Sequence, residues 1–262
     1  MRLTFKSVRL TAGTSQSGFT LVELIVVIVI TGILAVGAIS LIRNPTQAYF
    51  DVETKAALTD VADNATRRMM RAIERSLPNS VRVASNGVDS FLEYVPISKV
   101  GRYRSEVGSP DIRNTDDALD FSASADSFDV LGPAISGVPT GASGEQLVIY
   151  NLGIAGADAY EGTNRRIIST VTTDGTWGET KISFSGGAFP LASPANRFFI
   201  VKNPSTFACD MTNGKLWRYD GYAFQTAQPT SISTLNGLVT PTLLADKLTY
   251  CKMTYTATNQ RN

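Results

Sequence analysis

Few residues in this chain have chemistry beyond filling a core. There are no histidines. That excludes Ser-His-Asp and Cys-His nucleophilic systems and every His-ligated metal site. Two cysteines, Cys209 and Cys251, are too few for a structural zinc site. They leave two options, one disulfide or a pair of buried thiols. A bridge closing a loop of about 40 residues would contribute roughly 4 kcal/mol before strain is subtracted. No P-loop or dinucleotide fingerprint is present, so the sequence supports no enzyme activity and no cofactor.

The residue that most needs a reason is Glu23. It is the only charged residue in the apolar run 19–42, FTLVELIVVIVITGILAVGAISLI. A helix of that length covers about 36 Å, enough to cross a hydrocarbon layer of about 30 Å. An acid inside such a span costs a few kcal/mol even on lenient insertion scales, so it either snorkels to the interface or has a partner. Ahead of the run, residues 1–18 carry Arg2, Lys6 and Arg9 and no acid. Such a leader stays on the cytoplasmic side of a membrane. Gly32 and Gly37 lie inside the run and weaken it by about 1 kcal/mol each relative to alanine. Two readings stand for them: close helix packing, or a segment able to loosen.

Three further groups offer weaker chemistry. Asp116, Asp117, Asp120, Asp126 and Asp129 cluster between residues 114 and 129. Calcium binds carboxylate clusters, but the spacing is not that of an EF-hand, so a solvated loop is expected and no metal is assigned. Trp177, Trp217, Tyr219, Tyr222 and Phe224 could stack on a sugar if they converged, but aromatics of this kind more often fill a core. Arg67, Arg68, Arg71 and Arg75 form a basic group that reads as a solvated or salt-bridged helix face, or as a contact for acidic faces of neighbours. With 24 basic and 23 acidic side chains the net charge is +1, and no nucleic acid is expected as a partner.

The elements that would position these residues follow from periodicity. Arg43-Asn44-Pro45 ends the apolar run. Leu58, Val61, Ala65, Met69, Ala72, Ile73 and Leu77 then keep helical spacing. This predicts an amphipathic helix over about 46–77, kinked near Pro45 and stopped by Leu77-Pro78-Asn79-Ser80. Beyond 80, β-rich runs alternate with turn residues. Strands are predicted at 81–84, 91–96, 146–151, 166–172, 181–185, 197–201, 206–210, 215–219 and 247–255. Asn213-Gly214 is a hairpin signal, and Asp220-Gly221 is a second candidate. The stretches 105–145 and 225–242 read as long loops with room for short local structure.

The string Gly18-Phe19-Thr20-Leu21-Val22-Glu23-Leu24, with a basic leader before it and a long apolar run after it, resembles the prepilin peptidase site of type IV pilins and type II secretion pseudopilins. The resemblance implies cleavage between Gly18 and Phe19, N-methylation of Phe19, and retention of Glu23 as the fifth mature residue. In such a family the carboxylate of Glu23 faces the new amine of a neighbouring subunit and sets axial register. The implied partners are a prepilin peptidase/methyltransferase, the pilus assembly platform, the inner membrane, and other major and minor pilins. The implied fold is α+β, a type IV pilin-like α/β-roll with a long N-terminal transmembrane helix on an antiparallel sheet. Its parts would be a cleaved leader (1–18), a helix (19–78) with a transmembrane half (19–42), and a periplasmic β-rich domain (79–262). Export to an oxidising compartment favours the Cys209–Cys251 disulfide over free thiols. The string from Arg67 to Arg82 resembles PulJ-like and PilW-like minor pilins, and the whole chain resembles minor pilins of mannose-sensitive haemagglutinin (MSHA) pili. That implies a subunit that helps initiate or cap a fibre. A tip adhesin and a type II secretion minor pseudopilin are the alternatives. A conventional signal peptide, cut after Ala35-Val36-Gly37, competes with the cleavage reading.

Overall fold

The computed structural model describes residues 18–107, 117–122, 124–142, 144–173 and 178–256, without the side chains of 40–48. It comprises two compact units, Met1–Asp60 and Val61–Asn262. Helix α1, Leu21–Glu74, begins in the first and ends in the second. The helix continues through Pro45. Within the first unit, Leu21–Ile39 has a mean hydropathy of 2.8 and none of it is buried by the rest of the chain.

In the second unit the last turns of α1 lie on a sheet. Ala65 is buried, and Met69, Ala72 and Ile73 pack beside it against Leu92, Phe207, Cys209 and Leu216. Of the predicted apolar stripe only Leu58 and Val61 are exposed. The helix stops at Glu74, four residues before the expected boundary. Ser76 closes it by donating Oγ to the Ile73 carbonyl at 2.6 Å. The chain then joins the strands, with Leu77 N donating to Val95 O at 2.8 Å and Ile97 N to Arg75 O at 3.0 Å. Pro78 lacks the N–H that continued helix would use.

Among the described residues eleven strands follow: β1 (Arg82–Ser85), β2 (Ser90–Tyr94), β3 (Ile97–Tyr103), β4 (Ser127–Leu131), β5 (Gln146–Ile149), β6 (Arg165–Thr173), β7 (Thr180–Ser185), β8 (Arg197–Val201), β9 (Ser205–Asp210), β10 (Lys215–Asp220) and β11 (Thr242–Ala245). A short helix, α2 (Ile232–Leu238), precedes β11. β1-β2-β9-β10-β11 form an antiparallel sheet, and this is the sheet that carries α1. The intervening strands close into a six-stranded barrel in the order β3-β4-β7-β6-β5-β8. The expected helix-on-sheet arrangement is therefore present, and a separate barrel is inserted between β2 and β9. Closure leaves the barrel no unpaired edge. Its interior is filled by Tyr103, Phe128, Leu147, Ile168, Phe184 and Phe198, among others.

Several expectations are corrected. β4 and α2 are the short local structure within the loop stretches 105–145 and 225–242, and neither was placed as an element from the sequence. β3 was not expected, because Ser98-Lys99-Val100-Gly101-Arg102 lacks a clean apolar alternation. It is held by ladders to β4 and β8 instead. No strand forms over 247–255; the partner of β10 is β11. That terminal segment is tied by Leu248 N to Gly214 O at 2.8 Å and Met253 N to Ser90 Oγ at 3.0 Å. Cys251 lies in this irregular segment and is disulfide-bonded to Cys209 of β9, with Cα atoms 5.7 Å apart. Asn213-Gly214 does turn β9 into β10, and Gly214 has φ +62°. Asp220-Gly221 ends β10 without making a hairpin.

Gly101 shows what closure demands. It pairs with Phe198 across β3 and β8. A Cβ there would lie 2.5 Å from Phe198 Cζ. The Phe198 ring is fully buried among barrel side chains and has little room to yield. Gly101→Ala is expected to destabilise the barrel by about 1–3 kcal/mol, read as a lower Tm. An unchanged Tm would show that the ring has another place to go.

Candidate functional site

The N-terminal segment is built from the end of α1. Gly18, Phe19 and Thr20 are non-helical, and the helix starts at Leu21. Thr20 caps it: Glu23 N donates to Thr20 Oγ1 at 3.3 Å, and Leu24 N to Thr20 O at 3.2 Å. Thr20-x-x-Glu23 has the spacing of a capping box, and places the carboxylate in the first turn, at the positive end of the helix dipole. Glu23 thus favours the helix start. The sequence reading passed over Thr20; the T-x-x-E spacing was the available signal.

Among the described residues, nothing covers the segment. Phe19 is 80% exposed, and every apolar residue from Leu21 to Val29 is exposed. Among the described residues no cation pairs with Glu23. Gly18 has no described heavy atom within 4 Å of where a Cβ would sit, nor does Gly32 or Gly37. No contact within this chain requires glycine at these three positions. Thr31, the other polar side chain in the span's middle, is satisfied locally by the carbonyls of Val27 (2.7 Å) and Ile28 (3.1 Å). A helix with only such internally satisfied groups can sit in lipid.

A family model described as the prokaryotic N-terminal methylation motif matches residues 13–39. No characterised protein and no solved structure matches the chain. The motif, at the head of an exposed apolar helix and followed by antiparallel β-structure, supports a type IV pilin-like protein, a class of structural subunits. The same features fit a membrane-anchored pilin that a prepilin peptidase processes and that assembles with other pilins.

The other candidate groups are dispersed or already engaged. Asp116 and Trp177 lie outside the described residues. Asp117 bonds Lys181 Nζ at 2.9 Å and Ser127 Oγ at 2.6 Å. Asp129 accepts from Asp117 N at 2.6 Å, and Asp120 from Ser122 N at 2.9 Å. Asp126 accepts from Ser127 Oγ at 3.0 Å. Tyr219 and Tyr222 are buried in one core cluster with Trp217 packed against it, while Phe224 packs on another. These aromatics do not converge on one surface. Of the arginines, Arg67 pairs with Asp63 at 2.7 Å.

The sequence reading also missed a buried charge. Glu93 on β2 is fully buried and faces Arg82 of β1, with Nε donating at 2.6 Å. Tyr222 Oη donates to its other oxygen at 2.6 Å. The Arg82 guanidinium also lies 3.6 Å from the Tyr160 ring centroid and donates to the carbonyls of Gln225 and Thr226 at 2.7 Å each. Tyr160 Oη donates to Ser80 O at 2.9 Å. The network ties β1 and β2 to the segment between β5 and β6, and so ties the sheet to the barrel.

Burial pushes the Glu93 carboxyl above the usual range, and the bonds to Arg82 and Tyr222 offset that only in part. A carboxyl raised in the folded state adds stability that is present below the unfolded value and is lost as pH rises through the folded one. Glu93→Gln removes this dependence while costing about 1–3 kcal/mol through the weakened Arg82 contact. The Tm gap between the native protein and Glu93→Gln is expected to narrow between about pH 4 and pH 7. Thermal unfolding across that range checks it; a widening gap would contradict the burial argument.

Proposed function

We propose that this chain is a minor pilin of a type IV pilus of the MSHA type, an MshO-like subunit that helps initiate or cap fibre assembly. The observation that carries the reading is Gly18-Phe19-Thr20-Leu21-Val22-Glu23 at the head of an apolar helix that its own chain leaves bare. Cleavage between Gly18 and Phe19 removes the leader 1–18 and leaves a cationic amine, N-methylated on Phe19. Helix α1 anchors the subunit once through the inner membrane by the apolar half 19–42, and 79–262 stands in the periplasm until the subunit enters a fibre.

Each part has a physical rationale. In a bundle of parallel helices, the Glu23 carboxylate of one subunit meets the Phe19 amine of the next. Two charges that are costly alone form a pair in low dielectric, and removing one leaves the other exposed to apolar surroundings. Such a pair sets stagger as a buried polar group sets coiled-coil register. Gly32 and Gly37 have no contact in this chain that needs them, so their use falls to neighbouring helices or to loosening of the span. A soluble part of sheet plus barrel is bulky to repeat along a thin fibre, which favours a low-copy subunit among other major and minor pilins. A second reading, a tip adhesin, draws support from the barrel, a lobe that the helix does not need for its cover.

Mass spectrometry of the membrane-extracted protein is expected to find methyl-Phe19 at the terminus. An intact leader, or a terminus at Ala38, overturns the reading. Glu23→Ala is expected to be cleaved normally but to fall about tenfold or more in sheared fibres, the scale of a lost buried ion pair. Equal incorporation would contradict charge pairing. Deleting the gene separates the two readings: loss of fibres supports priming, and normal fibres with lost attachment support adhesion.

A further inference from the structure

Where the end of α1 meets the sheet, a cleft of about 670 Å³ opens. Its lining is unlike the rest of the molecule. Arg68, Arg71 and Arg75 come from one face of α1, at spacings of three and four residues that bring side chains together. Lys202 and Arg218 add two cations from the strand side, against the single acid Asp220. In a chain whose net charge is +1, five cations against one acid is a strong local imbalance.

Little of that charge is neutralised within the chain. Asp220 is taken by Arg218, Nε to Oδ1 at 2.9 Å. Arg68 Nε donates to neutral Asn64 Oδ1 at 3.2 Å. Among the described residues, the side chains of Arg71, Arg75 and Lys202 have neither an ion pair nor a hydrogen bond.

An independent observation comes from the floor. Tyr94 also lines the cleft. It is 1% exposed and stacks on Phe207 with ring centroids 5.4 Å apart. Its hydroxyl lies near Ser205 and Arg218 but makes no hydrogen bond of good geometry. Burial holds the phenol above its usual value, so it stays protonated at neutral pH and has a proton to donate. Buried hydroxyls without partners are uncommon and need an explanation. Water could satisfy the hydroxyl, but it would not neutralise the cations around it.

We propose that this cleft binds a small oxyanion ligand carrying at least two carboxylate or phosphate groups. Guanidinium forks match carboxylate and phosphate oxygens in paired hydrogen bonds. Three arginines on one helix face can hold separated anionic groups, and the Tyr94 hydroxyl, closed over in this structure, donates to one of them once the side chains above it part to admit the ligand. The volume suits a ligand of several such groups. The ligand's chemistry can come from a phosphate compound or from an acidic sugar. The inference does not rest on the N-terminal reading, since every residue in it lies beyond Val61.

The test is calorimetric titration of the full-length, detergent-solubilised protein with inorganic pyrophosphate and, separately, with trigalacturonate. At least one is expected to bind with Kd below about 1 mM at about 50 mM salt and to weaken as salt rises. Binding of pyrophosphate alone assigns a phosphate ligand, binding of trigalacturonate alone an acidic sugar, and binding of both leaves the class as stated. The double variant Arg71→Gln/Arg75→Gln, both exposed and so compatible with folding, is expected to lose about tenfold or more in affinity. Tyr94→Phe is expected to lose about fivefold without loss of Tm. The proposal is overturned if neither probe binds, if binding survives the double variant, or if Tyr94→Phe binds as well as the native protein.

Discussion

An apolar helix that the described residues leave bare is the constraint from which the rest of this molecule follows. Leu21–Ile39 has no cover within the structure, and its first turn carries an acid. Lipid or other helices must supply what the chain does not. Lipid accommodates the aliphatic residues and leaves Glu23 costly. A bundle of like helices accommodates both, provided a cation stands opposite the acid. The local structure adds a second use for the same side chain. With Thr20 at the cap, Glu23 stands in the first turn, where the helix dipole favours a carboxylate. One residue thus serves helix initiation and has the charge for registration.

The second unit answers a different problem. The last turns of α1 need an apolar face, and the five-stranded sheet supplies it through Leu92, Phe207, Cys209 and Leu216. The barrel is not needed for that cover. It is a separately closed lobe with its own aromatic core, spliced between two neighbouring strands of the sheet. Its attachment is polar as well as apolar. The buried Glu93–Arg82 pair, Tyr222 and Tyr160 join the two β-structures through fixed bond directions, which aliphatic packing alone does not impose. Such a network is weak evidence for stability and better evidence for a defined arrangement.

The basic cleft makes the same helix end serve two surfaces. Ala65, Met69, Ala72 and Ile73 turn toward the sheet, while Arg68, Arg71 and Arg75 line the opening beside it. The arginine group first reads as a solvated helix face. Its charge gains meaning only when Lys202, Arg218 and the Tyr94 hydroxyl are brought beside it.

What could be read along the chain was local or periodic. The motif at Gly18-Phe19 and Glu23 is contiguous, the apolar span is a run, and Asn213-Gly214 is a two-residue turn. Eight of the nine predicted strands fall on observed ones, because alternation in a half-buried strand is written into consecutive residues. Counting left the cysteines one possible bridge or two free thiols, and only the export implied by the N-terminal motif favoured the bridge. What remained hidden depends on residues far apart in sequence. β3 has little alternation of its own and is a strand because β4 and β8 offer it ladders, while the short alternation of β4 is hidden among the small polar residues around it. Barrel closure is a property of register around six strands, and Gly101 is needed only because Phe198 arrives from across the ring. The final predicted strand, 247–255, has strand-like composition but loses its place beside β10 to β11. The buried Glu93 looks like an ordinary surface acid until Arg82 and Tyr222 close over it. Burial and closure are decided in three dimensions, because a side chain's solvent and neighbours are set by the whole fold.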